Sequence, residues 1–284
     1  MTIGEWQKRA TELLKVSGCP DPCVDTAWIL EDTLNMTRAE LRFEQGRALA
    51  ASQKAQLDAM LQRRIDGEPV QYILQRADFM GLQFYVDERV LIPRQDTETL
   101  AEAAIAQLLT MPDPKVLDLC AGSGAVGLSI KTLVPHAQVT LTDISAGAVE
   151  VIRKNAHRLG AEVTIRHGNL FSPVADQKFD LIVCNPPYIS AEEIPNLQRE
   201  VRMEPELALN GGEDGLDFYR AIASEAPQHL LDDGLIYLEV GAGQAQDVLA
   251  IMQKGLHAAS YGGIIKDLNG VERVVWTGRN THAV

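Results

Sequence analysis

The tetrapeptide Asn185-Pro186-Pro187-Tyr188 carries the most specific chemistry in this sequence. It follows the apolar run Phe179–Cys184, which predicts a buried strand, and α/β sheets build their sites at the carboxyl ends of strands. The two prolines stiffen the turn and leave its carbonyl groups free to accept hydrogen bonds. The Asn185 side-chain oxygen and the Pro186 carbonyl could each accept one N–H of a planar NH2 group, such as an amide or an amino-purine, and Tyr188 could lie against its flat face.

This arrangement suits an acceptor nitrogen that is a poor nucleophile, because the lone pair of an amide is delocalised into its carbonyl. Two acceptors on the NH2 group would raise the electron density on nitrogen and aim its lone pair at an electrophile, so positioning would supply much of the acceleration. No His, Glu or Lys is then needed in the motif. The predicted catalytic residues are Asn185, Pro186 and Tyr188, and Pro187 completes the predicted substrate site.

A glycine-rich loop follows the earlier apolar run 116–119. The glycines of residues 122–127 have the spacing of a dinucleotide-binding fingerprint, and Asp143 ends the next predicted strand, where a carboxylate can bind two ribose hydroxyls. Both NAD and S-adenosylmethionine carry an adenosine, so these residues alone leave both cofactors open. Asp118, just before the loop, favours S-adenosylmethionine, because a carboxylate would attract an ammonium group and repel a pyrophosphate.

These residues need a sheet that brings the ends of several strands together, and the sequence predicts one. After residue 96, short apolar runs alternate with helical stretches, which indicates an α/β fold with a mostly parallel sheet covered on both faces. The expected strands are residues 116–119, 139–141, 163–165, 181–184, 235–240, 264–265 and 271–276.

The preceding part of the chain has a different pattern. Residues 1–75 indicate a small helical domain, with capping-box spacing at Thr2 and at Thr37. Residues 76–95 indicate a β-hairpin linker with its turn at residues 87–89. The predicted organisation is therefore a helical substrate-recognition domain at 1–75, a hairpin linker at 76–95 and a catalytic domain at 96–284.

Composition excludes several classes of protein. The 284 residues include 26 Lys and Arg against 39 Asp and Glu, a net charge of -13. Nucleic-acid enzymes usually offer phosphates a basic face, so this balance argues against DNA or RNA as the main partner. No apolar run approaches the length of a membrane helix and the N-terminus lacks a secretory pattern, so a cytoplasmic protein is expected. The four cysteines form no CxxC pair, and no metal is expected.

The segment 118–124 also resembles the first motif of the class I methyltransferases. With the tetrapeptide, it makes the whole chain similar to the peptide-chain release factor glutamine N5-methyltransferases, which methylate the Gln of the Gly-Gly-Gln loop of bacterial release factors. The resemblance extends to residues 67–69, 90–98, 204–209, 215–220 and 267–273. Asp96-Thr97-Glu98 is the most diagnostic segment, because it is similar to release factor enzymes and not to their ribosomal-protein-modifying relatives.

The resemblance implies a class I, Rossmann-like methyltransferase fold and methyl transfer from S-adenosylmethionine, with S-adenosylhomocysteine as product. It implies that the tetrapeptide holds the substrate Gln and that the Asn169-Leu170 pair borders the adenine. The full set of expected cofactor-binding residues is Asp118, Cys120, Ala121, Gly122, Ser123, Gly124, Asp143, Asn169, Leu170 and Asn185. The implied partners are class I peptide-chain release factors, with no membrane, no direct nucleic acid and a monomeric enzyme.

The sequence departs from the family pattern at three places: Gln95 replaces a usual Pro, Cys120-Ala121 replaces a commoner Gly-Thr, and Asn169 replaces a frequent Asp. Three alternatives stay open at this point: an adenine N6 or other nucleic-acid amino-group methyltransferase, a ribosomal-protein glutamine methyltransferase, and a NAD-dependent oxidoreductase. Candidate contacts with a protein partner are Arg63, Arg64, Arg94 and Glu204-Pro205.

Overall fold

The computed structural model describes residues 1–256 and 260–279. The chain divides into two compact units. The first comprises Met1–Arg76 and Gln198–Met203, and the second comprises Ala77–Leu197 and Glu204–Val284. The hairpin region therefore groups with the second unit, and a short segment far along the chain groups with the first, which local sequence patterns do not reveal.

The first unit is helical, and its core is closed by apolar faces at helical spacing. The predicted capping boxes begin two of its helices: the Thr2 side chain accepts the Glu5 N–H, and the Thr37 side chain accepts the Glu40 N–H. The helices are α1 (Ile3–Val16), α2 (Pro22–Leu34), α3 (Arg38–Phe43), α4 (Ala51–Ile65) and α5 (Val70–Leu74). Fully buried core side chains include Ile3, Trp6, Leu14, Ile29, Leu30 and Leu57.

Arg64, a candidate partner contact by sequence, is buried at the end of α4 with 4% of its surface exposed. Its Nε donates to Asp25 Oδ2 at 2.6 Å, and its Nη2 donates to Glu200 Oε1 at 2.8 Å. The Cys19 thiol donates to the same Asp25 oxygen at 3.1 Å, and burial raises the pKa of Cys19 to about 11. The surface interpretation of Arg64 is therefore wrong: it is a structural cation that binds segment 198–203 to α2 and α4.

The hairpin opens the second unit, with β1 (Ala77–Phe79) and β2 (Leu82–Phe84) paired antiparallel. Its turn is formed by Met80 and Gly81, at φ 52° and 72°, as the tight turns that match strand twist require. The predicted turn at residues 87–89 is wrong as a hairpin turn. That segment instead folds locally around its aspartate, whose side chain accepts the N–H two residues further on at 3.1 Å.

A seven-stranded sheet forms the centre of the described part of the second unit, in the order β5-β4-β3-β6-β7-β9-β8. The first five strands along this order are parallel, and β9 is antiparallel to both of its neighbours. The predicted mostly parallel sheet is confirmed. The strands are β3 (Lys115–Leu119), β4 (Gln138–Asp143), β5 (Thr164–His167), β6 (Phe179–Cys184), β7 (Leu230–Glu239), β8 (Ser260–Lys266) and β9 (Glu272–Arg279).

Apolar clusters cover both faces of this sheet. Val116 belongs to one cluster and its neighbour Leu117 to the other, as alternation along a buried strand requires. The chain winds from β3 to β4 and β5 in one direction and then returns to place β6 on the other side of β3, so a crevice opens at the carboxyl ends of β3 and β6. The helices are α6 (Glu98–Leu108), α7 (Ala125–Leu133), α8 (Ala146–Leu159), α9 (Asp217–His229) and α10 (Ala245–Gly255).

Within residues 1–256 and 260–279, no helix combines the length and apolar character needed to cross a bilayer. In the same ranges, no group of His, Cys, Asp and Glu side chains is placed to hold a metal ion.

Candidate active site

A cleft lies at the carboxyl ends of β3, β4 and β6, where the topology of the sheet places its crevice. It holds about 820 Å³, counting the space open to solvent. Predicted site residues from four separate segments line it: Cys120, Gly122, Asp143, Asn169, Leu170, Asn185 and Pro187. A smaller adjoining recess is lined by Asp118, Cys120, Ala121, Gly122, Ser123 and Asn185. The structure thus brings together residues that the sequence analysis selected one motif at a time.

The glycine-rich loop after β3 is held against the end of β4. Ala121 N–H donates to the Thr142 carbonyl at 3.1 Å, and Gly122 N–H donates to Asp143 Oδ2 at 2.8 Å. Gly124 caps α7 with a φ of 81°, in the left-handed region that favours glycine. The loop and Asp143 therefore form one rigid wall of the cleft.

Cys120 also adopts a left-handed backbone conformation, with a φ of 54°. A residue with a Cβ pays about 1 kcal/mol or more for this conformation, and glycine does not. The commoner glycine of the resembling family would therefore fit the same loop geometry without strain.

Asp118 lines the recess, is the last but one residue of β3, and is 2% exposed. Burial raises its pKa to about 7; the Gly127 N–H, donated to Oδ2 at 2.8 Å, opposes this rise, and the charge of Asp143 adds to it. A Cβ at Gly127 would meet that Oδ2 at 2.8 Å, so glycine is needed for the close approach. The result is a buried carboxylate whose remaining lone pairs suit a cationic ligand.

Asp143 ends β4 with both carboxylate oxygens engaged by the backbone. Oδ1 accepts the Ser145 N–H and Oδ2 accepts the Gly122 N–H, each at 2.8 Å. Burial raises its pKa, and these hydrogen bonds counteract the rise. Each oxygen keeps a second lone pair, and Asp143 lines the cleft, so this rigidly held carboxylate could accept from the two hydroxyls of a vicinal diol.

Asn169 and Leu170 follow β5 and also line the cleft. The turn that carries them is tied to β4, because Gly168 N–H donates to the Asp143 carbonyl at 2.9 Å. Leu170 adopts a φ of 42° and is 8% exposed, so its side chain contributes to the apolar core and the cleft wall together. The pair supplies one amide and one apolar surface, a combination that fits a purine ring.

The tetrapeptide after β6 divides between the cleft and the interior. Asn185 and Pro187 line the cleft, whereas Pro186 and Tyr188 line neither it nor the recess. Asn185 Nδ2 donates to Thr97 Oγ1 at 3.2 Å, and the Tyr188 hydroxyl donates to Glu239 Oε1 at 3.4 Å. Burial raises the pKa of Tyr188. Contact of its ring with an acceptor group stays a prediction.

Glu239, the acid at the end of β7, is not among the site residues predicted from the sequence. It is 1% exposed, and burial raises its pKa to about 7, although the Thr97 hydroxyl and Arg273 oppose the rise. The signal was present, because a lone acid ends an apolar strand here as Asp143 does on β4. Further cleft-lining residues were not among the predicted site residues. Three of them lie in the resembling segments 204–209 and 215–220, namely Leu207, Ala208 and Phe218, and the others are Arg89, Thr142, Ile144, Ser145, Ala148 and Gly168.

Glu204 and Arg94, both candidate partner contacts by sequence, pair with each other beside the cleft. The Glu204 carboxylate also accepts the Ile92 N–H at 3.0 Å, and its pKa is raised by burial. Pro205, the next residue, lines the cleft together with Leu91. Glu204 thus fixes the two chain segments that border the cleft rather than facing outward.

Known proteins match the chain along most of its length. The PrmC N-terminal domain family matches residues 5–74, and the Methyltransferase small domain family matches residues 97–212. The release factor glutamine methyltransferase of Geobacter sulfurreducens is 40% identical over 263 residues, which cover 92% of this chain and 91% of that protein.

Two further proteins are informative. The ribosomal protein uL3 glutamine methyltransferase of Bradyrhizobium diazoefficiens is 38% identical over 238 residues, covering 80% of this chain and 75% of that protein. A methyltransferase from Pyrococcus furiosus of known structure is 16% identical, with a TM-score of 0.52 and coverage of 81% of this chain and 100% of that one. The last likeness shows the fold.

Proposed function

The chain belongs to the release factor glutamine methyltransferase family, and on that basis we propose that it transfers a methyl group from S-adenosylmethionine to the side-chain N5 of the Gln in the Gly-Gly-Gln loop of bacterial peptide-chain release factors. One observation carries the proposal within the site. Asn185 and Pro187, two of the four predicted substrate-binding residues, line the same cleft as Asp143 and Asn169, two of the predicted cofactor residues. Both reactants would therefore meet in one cavity.

The residues present fit S-adenosylmethionine, which supplies an electrophilic methyl group on a sulfonium. Asp118 is a buried carboxylate beside the recess, as the ammonium of a methionine moiety needs. Asp143 would accept from the ribose hydroxyls, and Asn169 and Leu170 would border the adenine. The loop residues Cys120, Ala121, Gly122, Ser123 and Gly124 would bring their backbone against the ligand.

The same arrangement disfavours a dinucleotide. A pyrophosphate bound at the glycine loop would face the Asp118 carboxylate, which lies within the recess. The sheet also differs from the all-parallel order of dinucleotide-binding domains, since β9 is antiparallel and lies between β7 and β8.

The acceptor site would hold the Gln amide by its nitrogen. Asn185 Oδ1 and the Pro186 carbonyl would each accept one N–H, and Pro187 would limit the space around the carboxamide. These contacts restrain the amide with its lone pair directed into the cleft, so the chain contributes orientation rather than a general base. The surplus proton can leave after the transfer.

Methylation of a translation factor also bears on where and how the enzyme works. We place it in the cytoplasm as a monomer without direct nucleic-acid contacts, in keeping with its net charge of -13. The helical residues 1–75 would select the release factor, because a methyltransferase core alone does not explain the choice of one protein.

A second candidate acceptor is a glutamine of ribosomal protein uL3, because a relative that is 38% identical to this chain is a uL3 glutamine methyltransferase. The Asp96-Thr97-Glu98 segment favours the release factor.

The deciding experiment incubates the protein with S-adenosylmethionine and a purified bacterial class I release factor, followed by mass spectrometry of the Gly-Gly-Gln peptide. One added methyl on this Gln is expected, and none in a factor carrying Gln→Ala. Ribosomal protein uL3 in a parallel reaction tests the second candidate. Cofactor binding without methylation of either protein would contradict the proposed substrate and retain the cofactor.

Affinity for S-adenosylmethionine should rise as the pH increases toward 7. The pKa of Asp118 is raised to about 7, and only its ionised form attracts an ammonium group. Below that pKa, each unit by which the pH falls should increase the dissociation constant by up to about tenfold, and the dependence should flatten above it. Calorimetric titration between about pH 5.5 and 7.5 measures this slope.

The control is Asp118→Asn, which keeps the shape of the side chain and cannot ionise. This variant should bind the cofactor more weakly at neutral pH and show little dependence on pH. A slope that persists in Asp118→Asn would assign the titration to Asp143, whose pKa burial also raises, and would refute the role given to Asp118.

A further inference from the structure

Asp96, Thr97 and Glu98, the segment most diagnostic by sequence, lie at the start of α6, and Thr97 lines the recess that also contains Asp118 and Asn185. Asp96 Oδ2 lies 2.8 Å from Arg273 Nη2, and Glu98 Oε1 accepts the Met80 N–H at 2.6 Å. Thr97 lies between these two anchors and is 4% exposed. The backbone that carries the Thr97 hydroxyl is therefore anchored on both sides.

The Thr97 hydroxyl interacts with both Asn185 and Glu239. Asn185 Nδ2 donates to Thr97 Oγ1 at 3.2 Å, and the hydroxyl also interacts with the buried Glu239 carboxylate, whose pKa it lowers against the effect of burial. The Oε2 atom of Glu239 has no close hydrogen-bond partner within the described part of the chain. Because Asn185 Nδ2 donates to it, the Thr97 hydroxyl acts as an acceptor there, and its single proton is left for the Glu239 carboxylate, which only accepts when ionised.

The direction of these hydrogen bonds fixes the Asn185 amide. Because the NH2 end faces Thr97, the oxygen end is left for the cleft that Asn185 lines. The two ends of an asparagine amide have nearly the same shape, and only hydrogen bonding decides between the two orientations. An inverted Asn185 would present donors to the acceptor group, where an incoming NH2 needs acceptors.

We propose that Thr97, with Glu239 behind it, is a positioning residue that holds the Asn185 oxygen toward the cleft and thereby selects a carboxamide over a carboxylate as the methyl acceptor. The inference rests on the proposed function, since it specifies how Asn185 recognises its substrate. It also assigns a role to Thr97 within the diagnostic segment: the flanking Asp96 and Glu98 anchor the backbone that presents the hydroxyl.

The test compares Thr97→Val, which removes the hydroxyl at nearly constant shape, with Thr97→Ser, which keeps it. Thr97→Val should lower kcat for the release factor by about tenfold or more and change the affinity for S-adenosylmethionine by less than about twofold. Thr97→Ser should restore kcat to within about threefold of wild type. Thr132→Val is the matched control, because the Thr132 hydroxyl donates to the Leu128 carbonyl within its own helix, α7, at 2.8 Å. Assays at about pH 8.5 keep Glu239 ionised.

The preference for a Gln over a Glu in the release factor tests the orientation of the Asn185 amide separately from any loss of packing at Thr97. With S-adenosylhomocysteine present, the wild type should bind the native release factor more tightly than a factor carrying Gln→Glu. Thr97→Val should reduce this preference by about fivefold or more, because a freed Asn185 can turn its NH2 toward a carboxylate. Thr97→Ser should retain it.

Nuclear magnetic resonance gives a signature that does not depend on the acceptor. The side-chain NH2 signals of Asn185, assigned by their loss in Asn185→Ala, should shift in Thr97→Val and stay near their wild-type positions in Thr97→Ser. Unchanged signals and an unchanged preference in Thr97→Val would overturn the inference, as would a Thr97→Ser variant as impaired as Thr97→Val. A wild-type protein that leaves the Gln unmodified would instead contradict the proposed function, and the NMR comparison would still decide the orientation of Asn185.

Discussion

Replacing Asn185 with alanine should lower the rate of methyl transfer to the release factor Gln by at least about a hundredfold, which is roughly 3 kcal/mol in the barrier. The substitution removes one of the two acceptors that would restrain the amide nitrogen. The Pro186 carbonyl remains, so the acceptor could still enter, with its NH2 group free to rotate. Single-turnover kinetics with saturating release factor and S-adenosylmethionine measures the chemical step.

Cofactor affinity should change by less than about threefold in Asn185→Ala, since Asp118, Asp143 and Asn169 stay in place. Asn196→Ala is a matched control, because Asn196 is exposed and its side-chain amide donates to the carbonyl of the exposed Glu192 at 3.3 Å. The control should turn over like the wild type. Turnover at the wild-type rate in Asn185→Ala would refute the acceptor role, and a loss confined to cofactor affinity would reassign Asn185 to the cofactor alone.

The parts of the site that sequence could predict are those that follow the ends of strands. Asp143 and Asn185 each come directly after an apolar run, and the carboxyl ends of parallel strands meet at one edge of the sheet. No long-range contact had to be known to place them together. The α/β fold was predictable for the same reason, since its signal is the alternation of local patterns.

The remaining parts depend on contacts between distant segments. Thr97 bonds Asn185 across 88 positions, so its role is invisible to any window along the chain. Glu239 ends β7 in the same way as Asp143 ends β4, but the role proposed for it depends on its burial and on its interaction with Thr97, which the sequence does not show. The order β7-β9-β8 likewise results from pairing, which apolar runs alone do not encode.

Local ambiguity explains the misplaced hairpin turn. The alternation of apolar residues continues past β2 to Val86 and Val90, so it does not mark where the hairpin ends. The structure places the turn at Met80-Gly81, because the tight connection needs two residues with positive φ and glycine provides one at no steric cost. Gly81 is therefore a stronger turn signal than the charged segment Asp87-Glu88-Arg89.

Arg64 shows a different limit, because charge in a sequence does not reveal burial. An arginine near a helix end is usually exposed, and here its side chain is 5% exposed and its guanidinium pairs with the carboxylates of Asp25 and Glu200. Its contact with Glu200 spans 136 positions. The cation therefore belongs to the interior of the helical unit.

Replacing Arg64 with methionine should destabilise the helical unit by about 3–5 kcal/mol, because removing one partner of a buried ion pair leaves the other charge uncompensated. Asp25 would keep its carboxylate in the interior, with the Cys19 thiol still donating to it but without the guanidinium charge. Methionine preserves much of the apolar stem, so the loss of the charge dominates. Amide hydrogen exchange of Ile29 and Leu57, both fully buried in α2 and α4, measures the free energy of opening.

Two comparison variants separate the buried charge from the general effect of losing an arginine. Arg38→Met breaks the pair with Glu31, in which the arginine side chain is 53% exposed, and should cost less than about 1 kcal/mol. Adding Asp25→Asn to Arg64→Met should recover part of the loss, because the orphaned charge is then removed together with its partner. Exchange rates in Arg64→Met equal to those in Arg38→Met would mean that the pair contributes no more than a surface contact. Recovery in the double variant would instead show that the stability lost in Arg64→Met comes from the desolvated Asp25 carboxylate. The pair of Arg64 with Asp25 would then stabilise the helical unit chiefly by neutralising a buried charge.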